Sequence, residues 1–494
     1  MAYSHGVYKS EVPTSLVPPV RTEAGLPVFV GTAPIHLGSS PKALENVNKP
    51  QLCYTYEEAV SLFGFSKDFA KYTLCEAIYS QFALFNVSPV VLINVFDPSE
   101  HKTGGAEAVE YDVKDGAINF GPDILLDDIE VIKADGAPGN PVAGTDYALS
   151  YNDDAEAVLT VIPAGMFALA VKIKAKVKTL APEAVDAEDI IGGVDVETGE
   201  YTGLELVDRV FPKFRIIPGL LAAPKWSEDP SVAAVMAAKM SNINGHFTGE
   251  SVVDIPSHDD SGEGEAGAAI YTDAPEWKNK NNYMLANQIV CWGKPKLGDD
   301  TFHLSTQLVS LMNRTDAGNE DIPYESPSNK SLQMNSLVNA QGEEILLGPD
   351  QAAYLNGQGI VTALNFIGGW KAWGNREAVY PAVTDPKDAF IPIRRMFHWI
   401  GNEFILTFWQ KVDKPMTRRL VKTIVNSYNV RLNGLAAREF ILGGRVEFLE
   451  DENPLTDLID GILRFHVYVT PPPPAKEIRA ILEFDPVYFN TLFE

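Results

Sequence analysis

Gly443-Gly444-Arg445-Val446-Glu447-Phe448-Leu449, then Phe465-His466-Val467-Tyr468-Val469-Thr470, then Pro471 to Pro474 and a last run from Glu477 to Phe484: this stretch decides the fold. The first two segments read as paired strands, with Val446, Phe448, Val467 and Val469 as the candidate receiving sheet. Proline has no N–H to give to a ladder and fixes its own φ, so the last segment, with Ile478, Ala480, Leu482 and Phe484, reads as a strand detached from the domain behind it. The opposite end matches. Gly6-Val7-Tyr8-Lys9-Ser10-Glu11-Val12 is a short strand-like run cut off by Pro13, Pro18 and Pro19. Of this run Gly6, Val7, Tyr8 and Val12 are the candidate pairing residues. A subunit with an extended strand at each end is built to add both to the sheet edges of other subunits, where main-chain hydrogen bonds supply affinity. That is the logic of a polymer.

At 494 residues the chain exceeds a single hydrophobic core, and two to four domains are expected. Hydrophobic content of 45% and aromatic content of 10% place it among globular proteins. A formal charge of −26 argues against nucleic acid or an anionic membrane as partner of the whole surface. Cys53, Cys75 and Cys291 lie far apart with no CxxC spacing, which suits a reducing compartment. Met1 to His5 lacks the features of a secretory signal, and no apolar run approaches the length of a membrane span, so folding in a cytosol is expected.

Along the chain, Val28 to Ala33 is a buried-strand run, and Thr55 with Glu58 forms a capping-box pattern opening a helix at Tyr56. Phe69 to Phe85 reads as a second helix and Pro89 to Phe96 as a strand. From Asp97 to about Leu206 short runs of period two, such as 128–133, 147–151 and 171–177, alternate with Gly, Pro, Asp and Asn, which indicates an inserted all-β domain. Lys172, Lys174 and Lys176 share one face there, where charge can guard a sheet edge. Beyond it, Arg215 to Ala223 reads as a strand, Asp229-Pro230 starts a helix, and Ser251 to Pro256, Ala286 to Trp292 and Gly359 to Phe366 are further strands. From Pro386 to about Ala437 the chain is mainly helical. The fold class is a multidomain α/β (α+β) protein: a discontinuous α/β core over 21–96 and 207–385, a β-rich insert over 97–206, a C-terminal domain over 386–475, and arms at 1–20 and 476–494.

Motifs for catalysis are weak. Gly262-Glu263-Gly264-Glu265-Ala266-Gly267 fits GxGxxG, but Asp259, Asp260, Glu263 and Glu265 repel a phosphate, so a flexible acidic loop is the better reading. His246, Asp254, His258, Asp259 and Asp260 lack any tight metal-ligand spacing. There is no Walker A and no GxSxG sequence, so no cofactor, metal or catalytic residue is assigned. Trp370 and Trp373 among glycines read first as a packed turn, and the loop Arg314 to Asn329 as a structured one. One feature stands against the acidic background. In a helix expected from about Pro415 to Leu432, Met416, Leu420, Ile424 and Tyr428 step along one side, while Lys414, Arg418 and Lys422, with Arg419 beside them, form a basic stripe on another. A solvated face and a site for an acidic protein partner are equally good readings of it.

Taken in order, several stretches resemble the contractile tail sheath proteins of bacteriophages and of related phage-tail-like injection particles. They are the Gly6-Val7-Tyr8 arm leading into 28–34, Asp316 and Gly318 with Ser326-Pro327-Ser328-Asn329, Trp373-Gly374-Asn375-Arg376, Arg394-Arg395, and the C-terminal strands with Pro474-Ala475. The resemblance covers nearly the whole chain except 97–206. It implies a helical homopolymer around a tail tube protein, held between baseplate and tail terminator or neck proteins, with arms paired into a neighbour's C-terminal sheet. It implies contraction that drives the tube through a host envelope for genome ejection, without nucleotide, nucleic-acid binding or membrane insertion. The implied location is the virion tail after assembly in the bacterial host cytoplasm, with the insert facing outward and the basic stripe facing the tube. A tailocin-like particle is the variant of that reading. The rival classes are an α/β enzyme with a β accessory domain and a surface adhesin or capsid-type protein.

Overall fold

The structure, a computed structural model, describes residues 25–105, 107–132, 140–152, 154, 156–258 and 267–492. The arm residues Gly6, Val7, Tyr8 and Val12 and the acidic run from Asp259 to Glu265 lie outside the described residues. Strands β1 (Pro27–Gly31), β2 (Gln51–Cys53) and β3 (Val90–Asn94) open the core. Strands β4 (Lys102–Gly104), β5 (Val109–Asp112), β6 (Ala117–Gly121), β7 (Ile129–Val131), β8 (Tyr147–Tyr151), β9 (Ala157–Val161) and β10 (Lys172–Leu180) follow in the expected insert. The core resumes with β11 (Leu220–Ala222), β12 (Glu250–Ile255) and β13 (Gln288–Trp292), passes a small sheet of β14 (Lys294–Leu297), β15 (Asp300–Thr301) and β16 (Ser336–Val338), and adds β17 (Ile360–Asn365) and β18 (Trp370–Trp373). The C-terminal domain carries β19 (Gly443–Glu447) and β20 (His466–Thr470).

The core sheet has the order β18-β17-β13-β12-β11-β1-β3-β2. Its inner strands are parallel, and β2 and β18 close the two edges antiparallel. Parallel strands need helical crossovers that cover both faces, which is why β1 and β12 are buried at every position, β1 as an unbroken apolar run and β12 with Glu250, Ser251 and Asp254 buried beside its aliphatic residues. The period of two sorts their side chains. Val28, Val30, Val91 and Ile93 pack with Val232, Met236 and Met240 of the Pro230–Ser241 helix on one face. Phe29, Val90, Leu92 and Leu220 pack with Leu304, Leu308 and Met312 of the Leu304–Gly318 helix on the other. The caps are those expected: Thr55 Oγ1 accepts from Glu58 N at 3.1 Å, Glu58 Oε2 accepts from Tyr54 N at 2.9 Å, and Asp229 Oδ1 accepts from Ser231 N at 2.8 Å. Two boundaries move. Helix starts at Thr73 rather than Phe69, and Arg215, with φ of 63°, caps the Val207–Phe214 helix, so the following strand shrinks to β11.

In the 102–180 segment, β10 pairs antiparallel with β5, β7 and β4 in turn, and β9 lies between β6 and β8. The two sheets share a core of Ile118, Ile129, Leu159, Phe167 and Ile173. The edge-guard reading of Lys172, Lys174 and Lys176 fails because β10 is paired along its length. The lysines instead meet carboxylates of neighbouring strands, Glu110 at 3.6 Å for both Lys172 and Lys174 and Glu130 at 3.2 Å for Lys176. The boundary near Leu206 also moves. Leu180, Val185, Ile190, Leu204 and Leu206 belong to the α/β core, so 180–206 is core material. Lys102 and Leu180 are register partners, as are Gly104 and Lys178, and the chain therefore leaves and re-enters the core side by side. Replacing 105–177 with a two-residue turn is expected to leave a soluble subunit with a cooperative thermal transition. Excising 98–205 removes four of those five buried side chains, all but Leu206, each contributing about 1.5–3 kcal/mol, and is expected to abolish folding. Thermal melts of the two deletions check this, and a folded 98–205 deletion contradicts it.

The C-terminal domain packs the Ile391–Phe408 and Arg418–Ala437 helices around Met396, Trp399, Ile400, Ile424, Tyr428, Leu432 and Val446. Trp373 to Arg376 forms a packed turn: Gly374, at φ of 151°, brings its backbone against Val361, where a Cβ would sit 2.8 Å from the Val361 Cα. Arg376 lies over the rings of Phe390 and Tyr380 at 3.7 and 4.3 Å.

Candidate assembly surfaces

Strands β19 and β20 form a two-stranded sheet with Val446 opposite Val467 and Gly444 opposite Val469. Val446 is buried against Tyr428 and Leu432, and Phe448 falls one residue beyond β19, its ring tilted against Phe465 with centroids 5.4 Å apart. An isolated two-stranded sheet is marginal in water and presents two rows of backbone groups to any strand that approaches. One row is partly closed. Val446 N–H donates to Asn429 Oδ1 at 2.9 Å, and Asn429 Nδ2 donates to Val446 O at 3.0 Å.

The expected strand from Glu477 to Phe484 is absent: these residues form no ladder, and a turn of 3-10 helix follows at Pro486–Leu492. A strand exists only with a partner, and within one subunit this segment has none. Ile478, Ile481 and Leu482 are at least 90% exposed, and Ala480, Phe484, Tyr488 and Phe489 are exposed as well. Eight large apolar side chains between 478 and 492 stand uncovered, an exposure that marks a contact surface.

The basic stripe is only partly helical. Thr417 Oγ1 accepts from Leu420 N at 3.2 Å and starts the helix at Arg418, so Lys414 and Met416 lie in the connection before it. Arg418, Arg419 and Lys422 follow in its first turns, and all four cations are exposed. Trp409, Val412 and Met416 are exposed beside them. The tip of this helical hairpin is thus both cationic and apolar. Arginines on the inner sides are instead paired: Arg395 with Asp316, Arg394 with Asp388 at 3.2 Å, and Arg431 with Glu403 at 2.7 Å.

Buried charge joins the C-terminal domain to the core. Arg395 donates to both oxygens of Asp316 at the end of the Leu304–Gly318 helix, with all partners buried. His398 Nε2 lies 3.0 Å from Glu250 Oε1, and Asn402 exchanges two hydrogen bonds with the Thr248 backbone. Burial and the negative charge of nearby Glu250 push the Glu377 carboxyl well above the usual range. The enzyme reading finds no foothold in the second buried network. Ser305 Oγ donates to Asp254, whose pKa burial lifts to about 6, rather than to an imidazole. His303 Nδ1 bonds Glu76 at 2.8 Å and its Nε2 lies 2.9 Å from Lys294 Nζ. Each group is held by another, and the serine hydroxyl is bound to a carboxylate rather than to an imidazole. Among the described residues no group of three His, Cys, Asp or Glu side chains is placed to hold a metal ion, and no helix is long and apolar enough to cross a membrane.

The apolar tail and the two-stranded sheet both stand uncovered in the single subunit. No protein-family model matches the chain. It is 26% identical over 501 residues to the tail sheath protein of Burkholderia phage BcepMu, covering 99% of this chain and 98% of that protein. To the tail sheath protein of Escherichia phage P2 it is 28% identical over 307 residues, 60% of this chain and 70% of the relative. Among solved structures, the sheath complex of the extracellular contractile injection system PVC in its contracted state superposes with a TM-score of 0.57 at 13% identity, covering 99% of both chains. The helical sheath of the anti-feeding prophage in its contracted state gives 0.53 at 15% identity, covering 98% of this chain and all of the other. The chain has the sheath fold and is similar along its length to phage tail sheath proteins, as its sequence motifs imply, and these relatives are structural proteins rather than enzymes.

Proposed function

We infer that the chain is the repeating subunit of a contractile tail sheath: it polymerises helically around a tail tube and shortens to drive the tube through a host envelope. The observation that carries the reading is the uncovered apolar tail from Ile478 to Leu492, set behind four prolines and beside a two-stranded sheet in need of further strands. Head-to-tail contacts that do not close produce a filament, and strands shared across flexible links keep a lattice continuous while subunits swing. The N-terminal run with Gly6, Val7, Tyr8 and Val12 is the second donor, and Val446, Phe448, Val467 and Val469 mark the receiving sheet. The further partners are a tube protein inside, a baseplate at one end and a terminator or neck protein at the other, and the 105–177 lobe faces outward.

The cationic hairpin tip is the part assigned to the tube. Exposed ion pairs contribute about 0–1 kcal/mol each, so a single subunit holds weakly while a ring of them fixes register and still releases on contraction. Reversing Arg418 and Lys422 to Glu is expected to leave the melting temperature unchanged and to abolish co-assembly with tubes. Raising salt from 0.05 to 0.5 M, a span over which the screening length falls to a few ångströms, is expected to weaken wild-type attachment (roughly 10 Å at 0.1 M, 3 Å at 1 M). Electron microscopy of sheath and tube mixtures reads both effects, and normal sheathed tubes from the double reversal contradict the assignment.

A further inference from the structure

We propose that Glu377 carries a proton at the joint between the α/β core and the C-terminal domain, so that the two domains dock most tightly while this carboxyl stays neutral and loosen as pH rises. The inference concerns the single subunit and stands whatever that subunit assembles into. Three elements meet at this point. Glu250 opens β12, Glu377 lies on the connection that leaves β18, and Arg394, Arg395 and His398 belong to the Ile391–Phe408 helix. The connection is held on both sides: Ala378 N donates to Gln288 O of β13 at 2.8 Å, Glu377 N donates to Ala389 O at 3.2 Å, and Ile391 N donates to Asn375 O at 3.1 Å. Glu377 and Glu250 are 0% and 1% exposed, so water reaches neither.

The cations around the joint are committed to other groups. Arg395 pairs with Asp316, and Arg394 Nη1 donates to Asp388 Oδ1 at 3.2 Å. Lys278, from the Ala274–Lys280 helix, donates to the backbone carbonyls of Ala378 and Tyr380 at 2.6 and 3.2 Å, and Arg376 lies over the Phe390 and Tyr380 rings. His398 turns one ring nitrogen to Thr248 Oγ1 at 2.6 Å and the other to Glu250 Oε1 at 3.0 Å. Among the described residues neither carboxyl oxygen of Glu377 meets a hydrogen-bond donor. An ionised carboxylate there loses its water without compensation and faces a second carboxylate besides. Protonation removes both costs. Burial first and Glu250 second therefore raise the Glu377 carboxyl well above its ordinary 4.5, with Arg394 and Arg395 pulling the other way. In the interval above 4.5 the folded chain keeps a proton that the unfolded chain has lost, so stability is complete below it and falls as pH climbs towards the folded value.

The test is urea unfolding of the full chain against Glu377→Gln, from about pH 5 to about pH 9. A carboxamide has the shape of the neutral acid and cannot ionise. The variant is expected to gain on the wild type as pH rises, by up to about tenfold in the folding constant per pH unit. Hydrogen exchange places the effect: the Ala378 and Ile391 amides are expected to lose protection with rising pH, beyond the general base-catalysed increase, in the wild type and not in the variant. Glu250→Gln removes the opposing charge and is expected to make the wild-type slope shallower. A measurement on the wild type needs no variant to fold: its infrared spectrum is expected to keep a carboxylic-acid C=O stretch at neutral pH. Absence of that band, parallel pH profiles of wild type and Glu377→Gln, or a Glu377→Gln chain less stable than the wild type at alkaline pH overturns the proposal.

Discussion

A chain ending at Ala475 is expected to stay folded, monodisperse and as heat-stable as the full protein, and to form no long tubes. Residues 476–492 are all exposed in the single subunit, so their removal takes few contacts from any core. In the proposed sheath the same residues supply the joint between subunits. About five main-chain hydrogen bonds at ~0.5–1.5 kcal/mol each, with Ile478, Leu482 and Phe484 buried at roughly 1.5–3 kcal/mol each, make a joint of several kcal/mol. Each 1.4 kcal/mol lost is a tenfold weaker association, and along a filament the loss recurs at every subunit. Sedimentation velocity of the truncated and full chains under assembly conditions reads the difference. Fast-sedimenting tubes from the truncated chain rule out the shared-strand account.

Asp316→Ala is expected to destabilise the subunit by about 3–5 kcal/mol, because it removes the buried carboxylate that accepts from two Arg395 nitrogens, in a site where both side chains are only 2–3% exposed. No water replaces the carboxylate easily: Asp316 is packed against Gly25, where a Cβ would come within 2.8 Å of its Oδ2. The pair ties the core helix to the first turns of the C-terminal domain, so its loss is expected to let that domain unfold at lower denaturant. The double variant Asp316→Leu, Arg395→Met removes both charges and is expected to recover much of the loss. Urea unfolding of the three proteins decides it, and a single-variant cost below about 1 kcal/mol contradicts the structural role given to the pair.

The sequence exposes those features that depend on neighbours along the chain. β1, β3 and β13 show runs of at least four apolar residues because both faces are covered, and the caps at Thr55 and Asp229 lie within three residues of the N–H groups they serve. What depends on distant packing is hidden. The alternation of β10 continues smoothly into Leu180, and nothing in its period says that Leu180, Val185 and Ile190 turn inward to the α/β core. Pro415 looks like a first helical turn, yet the hydroxyl of Thr417 sets the start and leaves Lys414 off the helix. Glu477 to Phe484 has the composition of a strand without the ladder, since a ladder needs a second strand and none lies beside it in the single subunit. Asn429 gives no local signal at all: its partner lies 17 residues away, on the edge of another element.

The most direct test is a cryo-EM helical reconstruction of tubes formed by the full chain. A shared-strand sheath is expected to give a helical array in which residues 477–484 of each subunit lie as a strand along the C-terminal sheet of a different subunit, with Arg418, Arg419 and Lys422 lining the lumen and the 105–177 lobe on the outside. Discrete closed oligomers, or tubes in which 477–484 folds back on its own subunit, would contradict it.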